Sequence, residues 1–147
     1  MARMSFVNAE LAKLAVNTFV TTKISFANML AELCDRLPGA DVDVVTSALG
    51  LDARIGRRYL TGAVGYGGPC FPRDNQALIH LAGQIGGRAD LAETTDATNR
   101  AHNAWLLERL RTALPSNSTV GILGLAYKPA TDVMEESAGC PKCRPTG

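Results

Sequence analysis

The chain has 147 residues and a formal net charge of +1, with its basic residues scattered along the sequence. A nucleic-acid-binding domain is not indicated, because such domains concentrate positive charge on one surface. No apolar run is long enough to span a membrane. The length suffices for one domain with its own core and part of a second. Because the N-terminus lacks the charged-then-apolar layout of a signal peptide, we expect a cytoplasmic protein.

The first predicted element is one long helix from about Asn8 to Leu37, which Pro38 and Gly39 terminate. Its polar side chains recur every three or four residues and therefore form one stripe along the helix. Because most other positions are apolar, neighbouring segments or a partner chain must cover much of the helix. For the outer residues of the stripe, a solvated face and a functional face both remain open. The stripe comprises Glu10, Lys13, Asn17, Thr21, Ser25, Asn28, Glu32 and Asp35.

Shorter helices are predicted after the long one. Asp41 can cap a helix that continues to about Leu49, and the segment from Leu51 to Leu60 is expected to form a turn and a short helix. Further helices are expected from Asp74 to about Ile85 and from Asp90 to Leu114, ended by glycines and by a proline respectively. The positions of the last helix expected to face inward are Leu91, Ala97, Ala101, Trp105, Leu106 and Leu110.

The end of the chain is predicted to change structural class. Thr119 to Leu123 is typical of a buried strand, and Gly124 begins a turn after it. A single strand cannot satisfy its own backbone groups, so this one needs neighbouring strands. The last nine residues, GCPKCRPTG, contain two prolines and two glycines and are expected to be disordered. The pattern predicts a mainly α-helical chain followed by an incomplete α/β unit.

The cysteines are too unevenly placed for a disulfide framework. Cys34 lies in the apolar pattern of the long helix and is expected in the core. The pair in Cys140-Pro-Lys-Cys143 lacks the other two ligands of a structural zinc site, so we expect no metal there. The isolated histidines, His80 and His102, are interpreted as surface or packing residues.

The run GYGGPCFPRD, from Gly65 to Asp74, places Cys70 behind a glycine-rich turn and before a helix. Asp74 is a good N-cap, and the helix dipole together with the charge of Arg73 favours a thiolate on the cysteine. That environment prepares a nucleophile. The alternative is a tight loop that carries an inert, half-buried cysteine.

This run resembles the catalytic-cysteine motif of the UDP-glucose/GDP-mannose dehydrogenase family. Three other stretches resemble the same family in the same order: AELAKLAVNTFVTTKISFANML (9–30), LDARIGRRYL (51–60) and GILGLAYKPATD (121–132). The resemblance implies a central helical dimerisation domain over residues 1–115. It also implies that residues 116–138 begin a nucleotide-sugar-binding, Rossmann-like α/β domain and that the N-terminal NAD-binding domain is absent.

The resemblance further implies a chemistry. Members of this family oxidise a nucleotide sugar with NAD, and the expected reaction is conversion of UDP-glucose to UDP-glucuronate through a cysteine thiohemiacetal and thioester. GDP-mannose and UDP-N-acetylhexosamine remain alternative substrates, and a non-catalytic dimerisation remnant remains an alternative role. Without the NAD-binding domain, the chain alone is expected to be inactive. The expected partners are a nucleotide sugar and a second copy of the chain, packed through the long helix.

Site residues follow from matched positions in the family. The expected catalytic residues are Cys70, Lys13, Asn17 and Asp74. Arg73, where the family usually has lysine, is the expected cofactor contact, whereas Glu135 replaces an arginine expected to hold cofactor phosphates and should weaken that contact. Arg54 is expected to reach substrate across the dimer. The expected substrate-binding residues are Arg54, Tyr59, Gly65, Tyr66 and Lys128.

Overall fold

The computed structural model of the chain describes residues 3–139, in which four helices form. The helices are α1 (Phe6–Arg36), α2 (Val42–Gly50), α3 (Phe71–Gln84) and α4 (Asp90–Ala113). α1 packs against each of the other three, and α3 and α4 also pack against each other. With 31 residues, α1 is roughly 46 Å long. The predictions of one long central helix and of a mainly α-helical fold are confirmed.

Local sequence explains where the first two helices begin. Ser5 caps α1 by accepting a hydrogen bond from the backbone N–H of Asn8. Asp41 caps α2 as expected, because its carboxylate accepts from the N–H groups of Asp43 and Val44. No helix of the described residues 3–139 is long and apolar enough to cross a membrane.

The segment between α2 and α3 contains turns, bends and irregular backbone, so the prediction of a short helix within residues 51–60 was wrong. Gly56 has a φ angle of +68° and Tyr59 has one of +61°. These left-handed conformations are incompatible with a continuing right-handed helix. Lys23 of α1 fixes the segment by donating to the carbonyl oxygens of Ile55 and Gly56, both at 2.9 Å.

The inward face of α1 is polar. Three members of the predicted stripe (Thr21, Ser25 and Asn28) are buried against the rest of the chain, which corrects the solvated-face alternative for that part of the stripe. Glu10 and Asp35, at the two ends of the stripe, are exposed. The opposite, apolar face remains uncovered by the described residues. We define the apolar face of α1 as Leu11, Val16, Phe19, Phe26, Met29 and Leu33, all of which are exposed.

The inward face of α4 is polar as well. Its buried residues include Thr95, Asp96, Asn99 and His102. The predicted inward face was wrong, because Leu91, Ala97, Ala101 and Leu110 are exposed; Trp105 and Leu106 are half-buried. The sequence expectation assumed that apolar side chains face inward. In this helix the inward positions instead hold hydrogen-bonding groups, whose partners are described below.

Beyond α4 the backbone is irregular up to residue 139, and the strand expected over Thr119 to Leu123 is not formed in the described part of the chain. A strand needs a hydrogen-bonded neighbour, and residues 3–139 supply none. Residues further along the chain instead contact the glycine-rich loop, residues 65–68. The N–H of Gly68 donates to the carbonyl oxygen of Glu135 at 2.9 Å, and the Tyr127 ring lies against Gly68. The predicted disordered tail and Cys140 and Cys143 lie outside the described residues, except for Gly139.

Candidate active site

Cys70 lies at the N-terminus of α3. The helix begins at Phe71, and Cys70 is its N-cap residue and is exposed. The expectation that Asp74 caps this helix was wrong: Asp74 is already the fourth helical residue. Pro72 lies at the second helical position, where its missing N–H costs no helical hydrogen bond, so α3 starts earlier than the sequence indicated.

The carboxylate of Asp74 links α3 to α1. Asp74 Oδ2 accepts hydrogen bonds from Lys13 Nζ at 2.8 Å and from Asn17 Nδ2 at 2.6 Å. The two donors are one turn apart on α1 and therefore face the same carboxylate. Asp74 Oδ1 lies 3.3 Å from the guanidinium of Arg73. We call Lys13, Asn17, Arg73 and Asp74 the Asp74 cluster.

Cys70 is joined to this cluster through the first turn of α3. The backbone N–H of Asp74 donates to the carbonyl oxygen of Cys70 at 2.8 Å. Three catalytic residues expected from the sequence, Lys13, Asn17 and Asp74, are therefore in direct contact, and Cys70 lies one helical turn before Asp74. Cys70 is a free cysteine and an exposed residue.

Asp74 is ionised despite its burial. Burial opposes the charged form, but the hydrogen bonds from Lys13 and Asn17, together with the positive charge of Lys13 and the bond from Arg73, outweigh it. The pKa of Asp74 is held below its usual value of 3.8. The charged carboxylate orients the lysine ammonium and the asparagine amide at the first turn of α3.

Tyr66 is directed into the protein. Its hydroxyl donates to Asp96, which also accepts from Asn75 Nδ2 at 2.8 Å and from Gln76 Nε2 at 2.7 Å. Burial first, and then the hydrogen bond to Asp96 and its charge, raise the pKa of Tyr66 far above its usual value. Tyr66 therefore stays neutral and joins the glycine-rich loop to α4. Its hydroxyl is engaged inside the protein, although the family resemblance assigns Tyr66 to the substrate.

Gly65 is enclosed by two asparagine side chains of α4. Its N–H donates to Asn103 Oδ1 at 3.0 Å. A Cβ atom at this position would lie 2.6 Å from the amide oxygens of both Asn99 and Asn103, so these hydrogen-bonded side chains would have to shift. The loop therefore requires glycine at residue 65 for close packing against α4.

The remaining expected substrate residues lie outside this cluster. The Arg54 side chain is 88% exposed, and its guanidinium pairs with Asp52 at 2.6 Å. Tyr59 is exposed as well. Lys128 lies 5.3 Å from the ring centre of Tyr127, the residue that packs on Gly68. The structure thus brings Lys128 near the glycine-rich loop and leaves Arg54 and Tyr59 facing solvent.

Several residues that hold the site together were not identified from the sequence. Asn75 receives hydrogen bonds from Thr18 and Thr21 of α1 and donates to Asp96 of α4, so it joins three helices. A signal was present, because polar residues recur along α4 with the same helical spacing as the stripe of α1. The missed residues are Asn75, Asp96, Asn99 and Asn103.

The charges near Cys70 fit a bound phosphate only in part. The Arg73 side chain is 70% exposed, and the residue lies in the turn that follows the cysteine, so its guanidinium can contact a cofactor phosphate. Glu135 brings an exposed carboxylate to a segment that contacts the glycine-rich loop. Among residues 3–139, Arg73 is therefore the candidate for contact with a cofactor phosphate, and Glu135 would oppose such a contact.

The helical core matches known proteins. Residues 7–101 match the UDP-glucose/GDP-mannose dehydrogenase family, central domain. The chain belongs to this family. It is 42% identical over 127 residues to the UDP-glucose 6-dehydrogenase TuaD of Bacillus subtilis, a match covering 85% of the chain and 27% of the relative. It is 40% identical over 132 residues to the UDP-glucose 6-dehydrogenase of Pseudomonas aeruginosa, covering 88% of the chain and 29% of that protein.

A solved structure of the same family has a similar fold. It is the UDP-glucose dehydrogenase of the hyperthermophilic archaeon Pyrobaculum islandicum, with a TM-score of 0.79 and 41% identity. The match covers 90% of the chain and 31% of that structure. The chain thus spans less than a third of the length of these dehydrogenases.

Proposed function

We propose that this chain supplies the covalent-catalysis and dimer-forming part of an NAD-dependent UDP-glucose 6-dehydrogenase, with Cys70 as the nucleophile. The observation that carries the proposal is the Asp74 cluster, in which one ionised carboxylate holds Lys13 and Asn17 beside the turn that bears the exposed residue Cys70. UDP-glucose is proposed because the similar proteins are named UDP-glucose 6-dehydrogenases.

Oxidation of a primary alcohol to an acid passes through an aldehyde, and the proposed role of Cys70 is to retain it. The thiolate adds to the aldehyde carbon while the oxygen takes up a proton, giving a thiohemiacetal. Once that adduct has been oxidised to a thioester, water adds to the carbonyl carbon. The C–S bond then breaks, which releases the carboxylate product and restores the Cys70 thiol.

The Asp74 cluster has a role in both steps. Lys13 Nζ and Asn17 Nδ2 each carry more than one N–H, so each can bind a reacting oxygen while still donating to Asp74. Such donors stabilise the negative charge that develops when sulfur or water attacks a carbonyl group. Asp74 fixes both donors and can accept a proton from the attacking water.

NAD is proposed as the hydride acceptor for both oxidations. Arg73 is the residue proposed to contact it, through a phosphate. The resemblance assigns its other contacts to residues outside these 147. We therefore expect no steady NADH production when the 147-residue polypeptide alone is mixed with NAD and UDP-glucose.

Dimerisation through α1 belongs to the same proposal. The apolar face of α1 carries six exposed apolar side chains, a pattern typical of a surface that another protein covers. A second copy packed there would also give the solvent-facing Arg54 a neighbouring active site to reach. Residues 116–138 are proposed to begin the nucleotide-sugar-binding α/β domain, since Val120, Ile122 and Leu123 are exposed apolar residues that a sheet would cover.

The experiment that tests the proposal uses the aldehyde form of the substrate, a UDP-sugar oxidised to an aldehyde at C6. In the 147-residue chain, this compound should slow alkylation of Cys70 by iodoacetamide, read by mass spectrometry of the Cys70 peptide. Alkylation of the half-buried Cys34 is the internal control. Equal alkylation rates at Cys70 with and without the aldehyde would contradict covalent catalysis. A stable dimer with that result would favour the second candidate, a non-catalytic dimerisation remnant, which the apolar face of α1 supports.

A further inference from the structure

The backbone of residues 63–66, which leads into the cysteine motif, is held by side chains rather than by secondary structure. The N–H of Ala63 donates to Asn28 Oδ1 at 2.9 Å, and the carbonyl oxygen of Ala63 accepts from His102 Nε2 at 2.8 Å. The N–H of Gly65 donates to Asn103 Oδ1 at 3.0 Å. Buried backbone groups outside helices and strands need such partners, and here three side chains supply them.

Asn99 binds both backbone polar groups of Tyr66, its N–H and its carbonyl oxygen. The N–H donates to Asn99 Oδ1 at 2.8 Å, and the carbonyl oxygen accepts from Asn99 Nδ2 at 2.9 Å. Asn99, His102 and Asn103 are three and four residues apart, so they share one face of α4. We call these three residues the loop clamp.

The loop clamp is itself fixed to α1. His102 is 1% exposed, and its Nδ1 atom lies 2.8 Å from Glu32 Oε1. The Trp105 ring stacks on the imidazole, with 5.4 Å between ring centres. His102 is therefore bound both to α1 and to the loop.

Clamp and cysteine are connected through Tyr66. The Tyr66 ring meets the Phe71 ring edge to face, with 6.2 Å between centres, and Phe71 directly follows Cys70. The Tyr66 hydroxyl shares Asp96 with Asn75, which lies on the first turns of α3. A shift of Tyr66 would therefore reach the helix start that carries the thiol.

We propose that Asn99, His102 and Asn103 are positioning residues that fix the loop and thereby orient Cys70 beside the Asp74 cluster. The catalytic meaning of this orientation rests on the proposed function. The geometry itself concerns only this chain and can be tested without substrate.

The two asparagines use their amides differently, which gives a sharp test. Asn103 contributes only an accepting oxygen to the loop, so Asn103→Asp keeps its hydrogen bond to the N–H of Gly65. Asn99 both accepts and donates, so Asn99→Asp would place a carboxylate oxygen against the carbonyl oxygen of Tyr66. A role in mere packing would not separate these two isosteric substitutions.

The experiment measures two quantities in the 147-residue chain: amide hydrogen exchange at Gly65 and Tyr66, and the alkylation rate of Cys70. Asn103→Leu and Asn99→Asp should each speed exchange in the loop roughly tenfold or more and change the Cys70 rate. Asn103→Asp should stay within about twofold of the parent chain by both measures. Asn8→Asp, at an exposed position of α1, is the control for the added charge.

Three outcomes would overturn the proposal: Asn103→Asp behaving like Asn103→Leu, Asn99→Asp keeping the parent protection, or loop exchange rising with no change at Cys70. If Asn103→Leu fails to fold, as seen by circular dichroism, the two Asp substitutions still decide. Because no substrate is involved, the loop clamp can fail while the aldehyde still protects Cys70. The reverse result would leave the clamp intact and reject the catalytic role.

Discussion

Lys13 and Asp74 form an ion pair of unequal burial: Nζ and Oδ2 are 2.8 Å apart, the lysine side chain is 62% exposed, and the carboxylate side chain is 7% exposed. The lysine therefore keeps most of its hydration, while the carboxylate depends on protein donors to remain charged. Removing the lysine should therefore affect the protein differently from removing the aspartate. Removing the lysine is the more informative change, because it leaves a buried carboxyl without one of its donors.

Lys13→Met should raise the pKa of Asp74. Burial opposes ionisation of this carboxyl, and the substitution removes both a hydrogen bond and a charge that offset burial. A ¹³C NMR titration of the Asp74 carboxyl measures the change. Lys23→Met is the matched control, because Lys23 lies on the same helix and binds only the carbonyl oxygens of Ile55 and Gly56. An unchanged Asp74 titration in Lys13→Met would contradict the ion pair.

The same pair predicts how stability depends on pH. Since the folded state lowers the pKa of Asp74 below 3.8, the stabilisation is fully present above that value and is lost as the pH falls through the folded pKa. The parent chain should therefore lose stability below about pH 4, and Lys13→Met should lose less over that range. Urea unfolding at a series of pH values from neutral to about 3 measures it. Parallel curves for the two proteins would count against the prediction.

Gly65→Ala should destabilise the fold by about 1–3 kcal/mol, because the added methyl group would lie 2.6 Å from two amide oxygens. Gly83 provides a control of opposite sign. It is the penultimate residue of α3, and a Cβ atom added there would have no neighbour within 4 Å, so Gly83→Ala should stabilise by at most roughly 0.5–1 kcal/mol. Chemical denaturation of both variants measures the change in the free energy of unfolding, which should be a decrease for Gly65→Ala and an increase for Gly83→Ala. A neutral Gly65→Ala would mean that the loop is not held against α4.

Tyr66→Phe should cost about 1–3 kcal/mol, because the ionisable Asp96 loses a hydrogen-bond donor in a buried setting. Tyr59→Phe is the control, since the Tyr59 side chain is exposed. Equal midpoints of thermal unfolding for the two variants would show that the Tyr66–Asp96 bond contributes no net stability.

Sequence reasoning succeeded where one local property decides the outcome. The length of α1 follows from the absence of glycine and proline over Phe6–Arg36, and the start of α2 follows from the capping carboxylate of Asp41. Lys13 and Asn17, which the family resemblance assigned to one site with Asp74, bind the Asp74 carboxylate in the structure, and the catalytic roles of the three residues stay a prediction.

It failed where tertiary contacts decide. The helical spacing of Thr21 and Asn28 is compatible with a solvated stripe, yet both are buried because Asn75 and the backbone of Ala63 supply hydrogen-bond partners. Those partners lie 54 and 35 positions away in the chain, beyond the reach of any periodicity. A carboxylate is a good helix cap, which favours a start of α3 at Asp74; the actual partners of that carboxylate are the amine and amide of α1.

The apolar face of α1 predicts self-association. Phe26→Glu introduces a charge into the middle of this face and should weaken dimerisation at least roughly tenfold, because the buried charge would lack a partner. Leu123→Glu is the control, since Leu123 is fully exposed and lies outside α1. Sedimentation equilibrium at micromolar concentrations measures both. A parent chain that stays monomeric under these conditions would contradict the interface, and equal weakening by both variants would show that it does not lie on α1.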